Sequence, residues 1–260
     1  MPPKIAGQGC HPLRLANFLH SDVIGTSAPA PSRSRSGLAP ALDDQARLTL
    51  LAVALVALPV FVQAPLVRLN PWLAALLTAP LLGAALLLER FGGERWRDAG
   101  AVLVGFSGSW LAGSLFWGWF RLHPICHLPL EACLLPLALT GLGGRWRLAG
   151  AFYLASLAGT AATDAGIAAT GLMPLWPQVI SAPLAEAPWL LQEAASRVFD
   201  PLNLVLLSLL AGLLLSICRR LWLQGGACAK VAAATLAATL AVDALFLGSA
   251  LLAPRFTGLI

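Results

Sequence analysis

The chain has 260 residues, of which 58% are apolar and 11% charged. Water-soluble domains carry about 25% charged residues, so this composition, with a mean hydropathy of +0.78, excludes a soluble globular fold and points to an integral membrane protein. The net charge of +5 could suggest nucleic acid, but the basic residues fall in short clusters between apolar runs, where orientation in a membrane explains them and a nucleic-acid partner is set aside.

Residues 1–46 are a different material, rich in Ser, Pro, Ala and Arg around SAPAPSRSRSGLAP, without an apolar run long enough for a signal peptide. They read as a disordered cytoplasmic tail, and residues 47–260 as the transmembrane domain. From Leu48 onward seven apolar segments follow, at 48–66, 72–89, 99–120, 125–142, 148–171, 201–218 and 229–253. Each approaches the ~20 residues that span ~30 Å of hydrocarbon. Only helices or closed barrels cross a bilayer, and these runs lack barrel alternation, so the expected fold is all-α, a seven-transmembrane helical bundle.

The basic residues orient it. Lys4, Arg14, Arg33, Arg35 and Arg47 precede the first segment, Arg68 alone follows it, and Arg90, Arg95 and Arg97 follow the second. The rich and poor connections keep alternating to the C-terminal Arg255, which puts the N-terminus in the cytoplasm and the C-terminus outside or in a lumen. Trp72, Trp117, Trp119, Trp176 and Trp189 then fall at outer ends and Trp96, Trp146 and Trp222 at inner ends, while Trp110 lies mid-span as a packing residue. The long connection at about 173–200 reads as an interfacial segment with a short helix: Leu191, Ala194, Ala195 and Val198 share one face, opposite Gln192, Glu193 and Arg197.

Helix packing has its own signal. Gly105, Ser109 and Gly113 repeat at spacing four in the third segment, a small-residue ridge that admits a neighbouring backbone. The Ala, Gly and Thr of the fifth and seventh segments suit the same tight association. The Leu-rich second and sixth suit lipid or a partner. The five cysteines form no CxxC pair and read as buried apolar thiols.

Three carboxylates fall inside segments, Glu131, Asp164 and Asp243, each needing a partner or an aqueous path. At about 1.5 Å per residue, Asp164 stands ~24 Å, Glu131 ~21 Å and Asp243 ~18 Å above the inner boundary, one slab in the outer half. Arg121, His123 and His127 lie in the turn above them, with His127 and Glu131 at helical spacing, and Thr160 and Thr239 each precede an Asp by four residues, within hydrogen-bonding reach. Pro129 and Pro136 break the helix carrying Glu131, as in helices that line cavities. His123, His127 and Glu131 would share a face suited to a metal, but Pro124 and Pro129 interrupt it, and no metal is assigned. No phosphate-loop, dinucleotide, serine-elbow or zinc-protease motif names a cofactor.

The stretches PVFVQAP and NPW, the RW and GFSGSWLAGS blocks, and above all FWGWFRLHPICHLPLEACLLPLAL resemble a family of polytopic membrane proteins associated with cyanobacteria and labelled only as a domain of unknown function. The likeness covers about residues 48–255. It implies a plasma-membrane or thylakoid location and carries over no activity and no catalytic residue.

The function these residues favour is binding or moving a cation, proton or small solute through an outward-facing polar site of Glu131, Asp164 and Asp243 under a rim of Arg121, His123 and His127. Two other readings stand beside it. One is an assembly or scaffolding partner of a photosynthetic or respiratory membrane complex; the other is a membrane enzyme acting on lipid or pigment.

Overall fold

Apolar runs of this length satisfy their backbone in hydrocarbon as helices, and every described element is helical. The structure is a computed structural model and describes residues 38–183 and 185–254. Most of the expected tail, residues 1–37, lies outside the described residues; the remainder already belongs to the first helix, α1 (Leu38–Leu58).

After α1 the chain widens into a π-helical turn at Pro59–Gln63. The pyrrolidine of Pro59 has no N–H and crowds the carbonyl four residues back, which a wider turn relieves. α2 (Ala64–Leu69) follows, and Asn70 caps α3 (Pro71–Leu76) by accepting the Leu73 N–H at 3.0 Å. α4 (Thr78–Phe91) and α5 (Gly93–Leu115) come next, and α5 runs on into a second π-helical turn at Phe116–Phe120. The proline-rich segment is in pieces, a 3-10 turn at Pro124–Cys126, then α6 (His127–Glu131) and α7 (Leu135–Gly141). The chain closes with α8 (Arg147–Ala169), α9 (Trp176–Ser181), α10 (Ala187–Ser196), α11 (Pro201–Gln224) and α12 (Ala227–Leu252).

Among the described residues six helical stretches are long and apolar enough to cross a membrane: Asp44–Leu69, Pro71–Phe91, Trp96–Phe120, Pro124–Gly141, Pro201–Gln224 and Ala227–Leu252. The protein is therefore an all-α, multi-pass integral membrane protein. The sequence reading counts seven, and the difference is α8. Its 23 residues are long enough, but Gly, Thr and Asp164 dilute its apolar content.

That same helix sits at the centre. α8 packs against α5 on one side and α12 on the other, α1 also joins α5 and α12, and α4 and α11 lie outside. The apolar core is drawn from these four central helices, with Leu55, Phe106, Trp110, Phe152 and Val231 fully or nearly buried. Phe106 sits edge-on to both Trp110 and Phe152, at ring separations of 5.8 and 6.2 Å. The outer helices expose Leu87, Leu209 and Leu213.

Small residues set how close the central helices come. A Cβ on Gly105 would stand 2.4 Å from the Ala149 carbonyl oxygen of α8, and one on Gly159 would stand 2.7 Å from the Thr239 methyl of α12. The expected single ridge divides, however. Gly113 faces the Gln63 side chain instead of α8, and the Ser109 hydroxyl is buried with no hydrogen-bond partner. Spacing four overshoots a 3.6-residue turn by about 40° a step, so positions eight apart face about 80° apart.

Tryptophans gather at one end of the bundle. Trp72 and Trp119 meet edge to face at 4.9 Å, Trp117 and Trp176 meet at 5.5 Å, and the Trp176 indole N–H donates to the Arg121 carbonyl at 2.7 Å. α10 buries Leu191 and Ala195 against α12, exposes Gln192 and Glu193, and is tied down where Gln192 donates to the Leu251 carbonyl at 2.7 Å.

Candidate functional site

Proline decides where the first two site residues stand. Pro129 lies within α6 and Pro136 opens α7, so the backbone passes 132–134 in tight turns, with Leu135 N–H bonding to the Ala132 carbonyl at 2.9 Å. The break releases the Glu131 carbonyl and the Leu134 N–H. Tyr153 of α8 takes both: its hydroxyl donates to the Glu131 carbonyl and accepts from Leu134 N–H at 3.2 Å. Tyr153 is the chain's single tyrosine, and it holds α6 at a fixed height beside α8.

α6 then presents His127 and Glu131 toward Asp164. His127 Nδ1 lies 3.0 Å from Asp164 Oδ1, and the pair is only partly exposed, 21% for the imidazole and 15% for the carboxylate. The imidazole also stacks on the buried Phe116 at 4.2 Å. Glu131 is buried and within electrostatic reach of both His127 and Asp164. One residue before Asp164, the Thr163 hydroxyl donates to Asp243 Oδ2 of α12 at 2.6 Å. Asp164 thus pairs with His127, Glu131 stands one turn along the same short helix as that histidine, and Asp243 is tied to α8 one residue away from Asp164 through Thr163.

Other expected members stand elsewhere. The side chains of Arg121 and His123 are exposed in the turn that precedes the 3-10 segment, and neither forms an ion pair with a described carboxylate; Arg121 contributes its backbone carbonyl to Trp176. Neither expected bond, from Thr160 or Thr239 to the Asp four residues on, is among the hydrogen bonds of the described residues. Thr239 bonds its own helix at the Thr235 carbonyl, 3.1 Å away, and packs on Gly159, while Asp243 takes its hydroxyl partner from α8. The close α8–α12 crossing puts Thr163 nearer to Asp243 than a residue one turn away on its own helix. Among the described residues no cluster of three His, Cys, Asp or Glu has the arrangement to hold a metal.

Beside the carboxylates lies a cavity of about 370 Å³ between α8, α11 and α12, roofed by α9 and α10. Asp243 is the one charged residue in its wall, accompanied by the hydroxyls of Thr163, Thr170 and Thr239. The rest is apolar, including Ile167, Leu210 and Phe246. The expected polar pocket common to all three acids is therefore a different object, an apolar chamber that meets the carboxylate cluster at Asp243 alone.

Two residues of this region escape a search for charge. Thr163 and Tyr153 are neutral, and only the packing of α8 reveals them. A third, Gln63, had a visible signal as a lone amide in an apolar span. Buried at the π-helical turn, it donates from Nε2 to the Trp110 carbonyl at 2.5 Å and to Ser114 Oγ at 2.7 Å, while the Trp110 indole donates to the Ala74 carbonyl at 2.9 Å.

Comparison with known proteins adds one finding. A family model described as Protein of unknown function (DUF3120) matches residues 52–251, the helical domain from α1 to α12. No curated protein and no solved structure matches the chain.

Proposed function

We propose that this protein, which belongs to the DUF3120 family of proteins of unknown function, binds and moves a proton or small cation through Asp164, which pairs with His127, together with Glu131 and Asp243. What supports the reading is the 3.0 Å contact between His127 and Asp164, with Glu131 and the Asp243–Thr163 pair on either side. Chains of His, Asp and Glu inside a bundle mark ion and proton paths, since an intramembrane charge with no use is selected against by its insertion cost. α8 is the seventh crossing in this reading. Its carboxylate meets His127 and its small face meets α5 and α12, so it would enter the membrane as part of the bundle with less apolarity than a lipid-facing helix needs. With seven crossings, the alternating basic connections support an N-terminus in the cytoplasm and the Trp-rich end outside.

The test is proton or cation flux in proteoliposomes, read with an entrapped pH dye under an imposed potassium diffusion potential. Wild type should exceed empty vesicles, and Asp164→Asn and Asp243→Asn should each abolish the excess while the protein still inserts. Equal flux in wild type and both variants removes the proposal.

The chamber favours a second reading. An apolar wall with one carboxylate suits a small amphiphile whose polar head meets Asp243 and Thr163. Leu210→Trp would then block its binding without altering the proton signal.

A further inference from the structure

At the opposite end of α8 from Asp164 a second cavity, of about 720 Å³, opens between two short connections. Its wall differs in kind from the chamber described above. Arg90, Arg97, Arg145 and Arg147 line it with Glu89 and Asp98. Basic residues near span ends are expected from topology alone, but topology requires only that they lie on one side, whereas these four converge on one hollow.

Inside it the arginines outnumber the carboxylates. Glu89 is buried and stands 3.8 Å from the guanidinium of the largely exposed Arg145. Asp98 feels the charges of Arg147 and Arg97. Four guanidiniums against two carboxylates leave an excess of two positive charges within one cavity. The guanidinium fork matches the oxygens of a phosphate group in geometry as well as charge. The depth is also informative. Trp96 precedes Arg97, and the Arg145 guanidinium lies over the Trp146 ring at 4.4 Å. Tryptophans at span ends sit at the level of lipid headgroups. Gly143 and Gly144 form part of the rim, where an added Cβ at Gly144 would meet nothing within 4 Å, so the backbone leaves the mouth open.

We infer that this crevice is a binding site for an anionic phosphate ester, held by Arg90, Arg97, Arg145 and Arg147. The same chemistry is offered by the headgroup of an acidic phospholipid and by a soluble phosphate, and the experiment separates them. The full chain is placed in nanodiscs of equal phosphatidylcholine and phosphatidylglycerol and released into native mass spectrometry. In parallel, thermal unfolding in neutral detergent is followed with added inorganic phosphate or glycerol 3-phosphate. Retained phosphatidylglycerol in preference to phosphatidylcholine identifies the lipid. A rise in melting temperature with the soluble probes identifies a free phosphate.

In either arm Arg90→Gln with Arg97→Gln, both exposed positions, should weaken binding by about tenfold or more. Arg219→Gln with Arg220→Gln, exposed arginines on α11 away from the cavity, should leave it unchanged. Unaltered melting of the ligand-free variants shows that both pairs fold. Binding in neither arm overturns the inference, and so does an equal loss in the α11 pair, which would reduce the effect to general attraction by a basic rim.

Discussion

A single phenol closes the gap that proline opens in the Pro124–Gly141 stretch. The Tyr153 hydroxyl serves one freed carbonyl and one freed N–H, so Tyr153→Phe leaves two buried backbone groups without partners. Loss of about 1–3 kcal/mol is expected for such groups, read as a lower melting temperature in detergent, together with weakened flux because Glu131 is no longer held at its height. Tyr153→Leu should do no better, since the effect lies in the oxygen and not in the ring. Gln63 behaves in the same way one helix over. Gln63→Leu removes the amide's bonds to the Trp110 carbonyl and the Ser114 hydroxyl and should lower the melting temperature in detergent, by less than Tyr153→Phe, because both groups lie within α5 and have backbone partners within reach there. Of the residues around His127, the charged ones were legible because a carboxylate in an apolar run is expensive wherever it points. Thr163 and Tyr153 were not, because a neutral hydroxyl in a helix can satisfy itself on its own backbone, and only a partner on another helix turns it into part of a site.

Among elements, glycine spacing controls how the central helices meet. Gly105→Ala would drive a methyl into the Ala149 backbone, which cannot step aside, whereas Gly83 of α4 has open space around it. The first substitution should destabilise by about 1–3 kcal/mol. The second should be neutral or slightly stabilising, since Ala is the better helix former. Thermal unfolding of the two side by side checks the contrast. The ridge in α5 could be read from small residues at spacing four, yet the sequence pattern treats a helix as if four residues made a whole turn. The drift of the real helix sends Gly105 and Gly113 to different neighbours. The break after α6 was equally legible in Pro129 and Pro136, while the π-helical turns were not: Pro59 allows one, but nothing in Phe116–Phe120 distinguishes it from ordinary helix.

For the molecule as a whole, helical class and the identity of the lipid-facing helices follow from apolar runs, because a bilayer imposes length and composition directly. α8 is where that logic thins. It packs on α5 and α12, and its Gly, Thr and Asp164 keep it out of the six stretches that are apolar enough to cross on composition alone. A glycosylation acceptor placed in the loop between α9 and α10 tests its placement. Seven crossings with a cytoplasmic N-terminus put that loop on the lumenal side of microsomes, where it should be modified in the full chain; six crossings without α8 leave it unmodified. The partnership of α8 also bears on how the protein is made. Asp164 meets a residue synthesised before it, His127, but the face around Gly159 packs on Thr239 of α12, which emerges later. A chain stopped after residue 200 should therefore modify the same acceptor poorly. On the seven-crossing reading α8 would be fully shielded only once α12 has been made, which would couple its insertion to a helix well downstream of it.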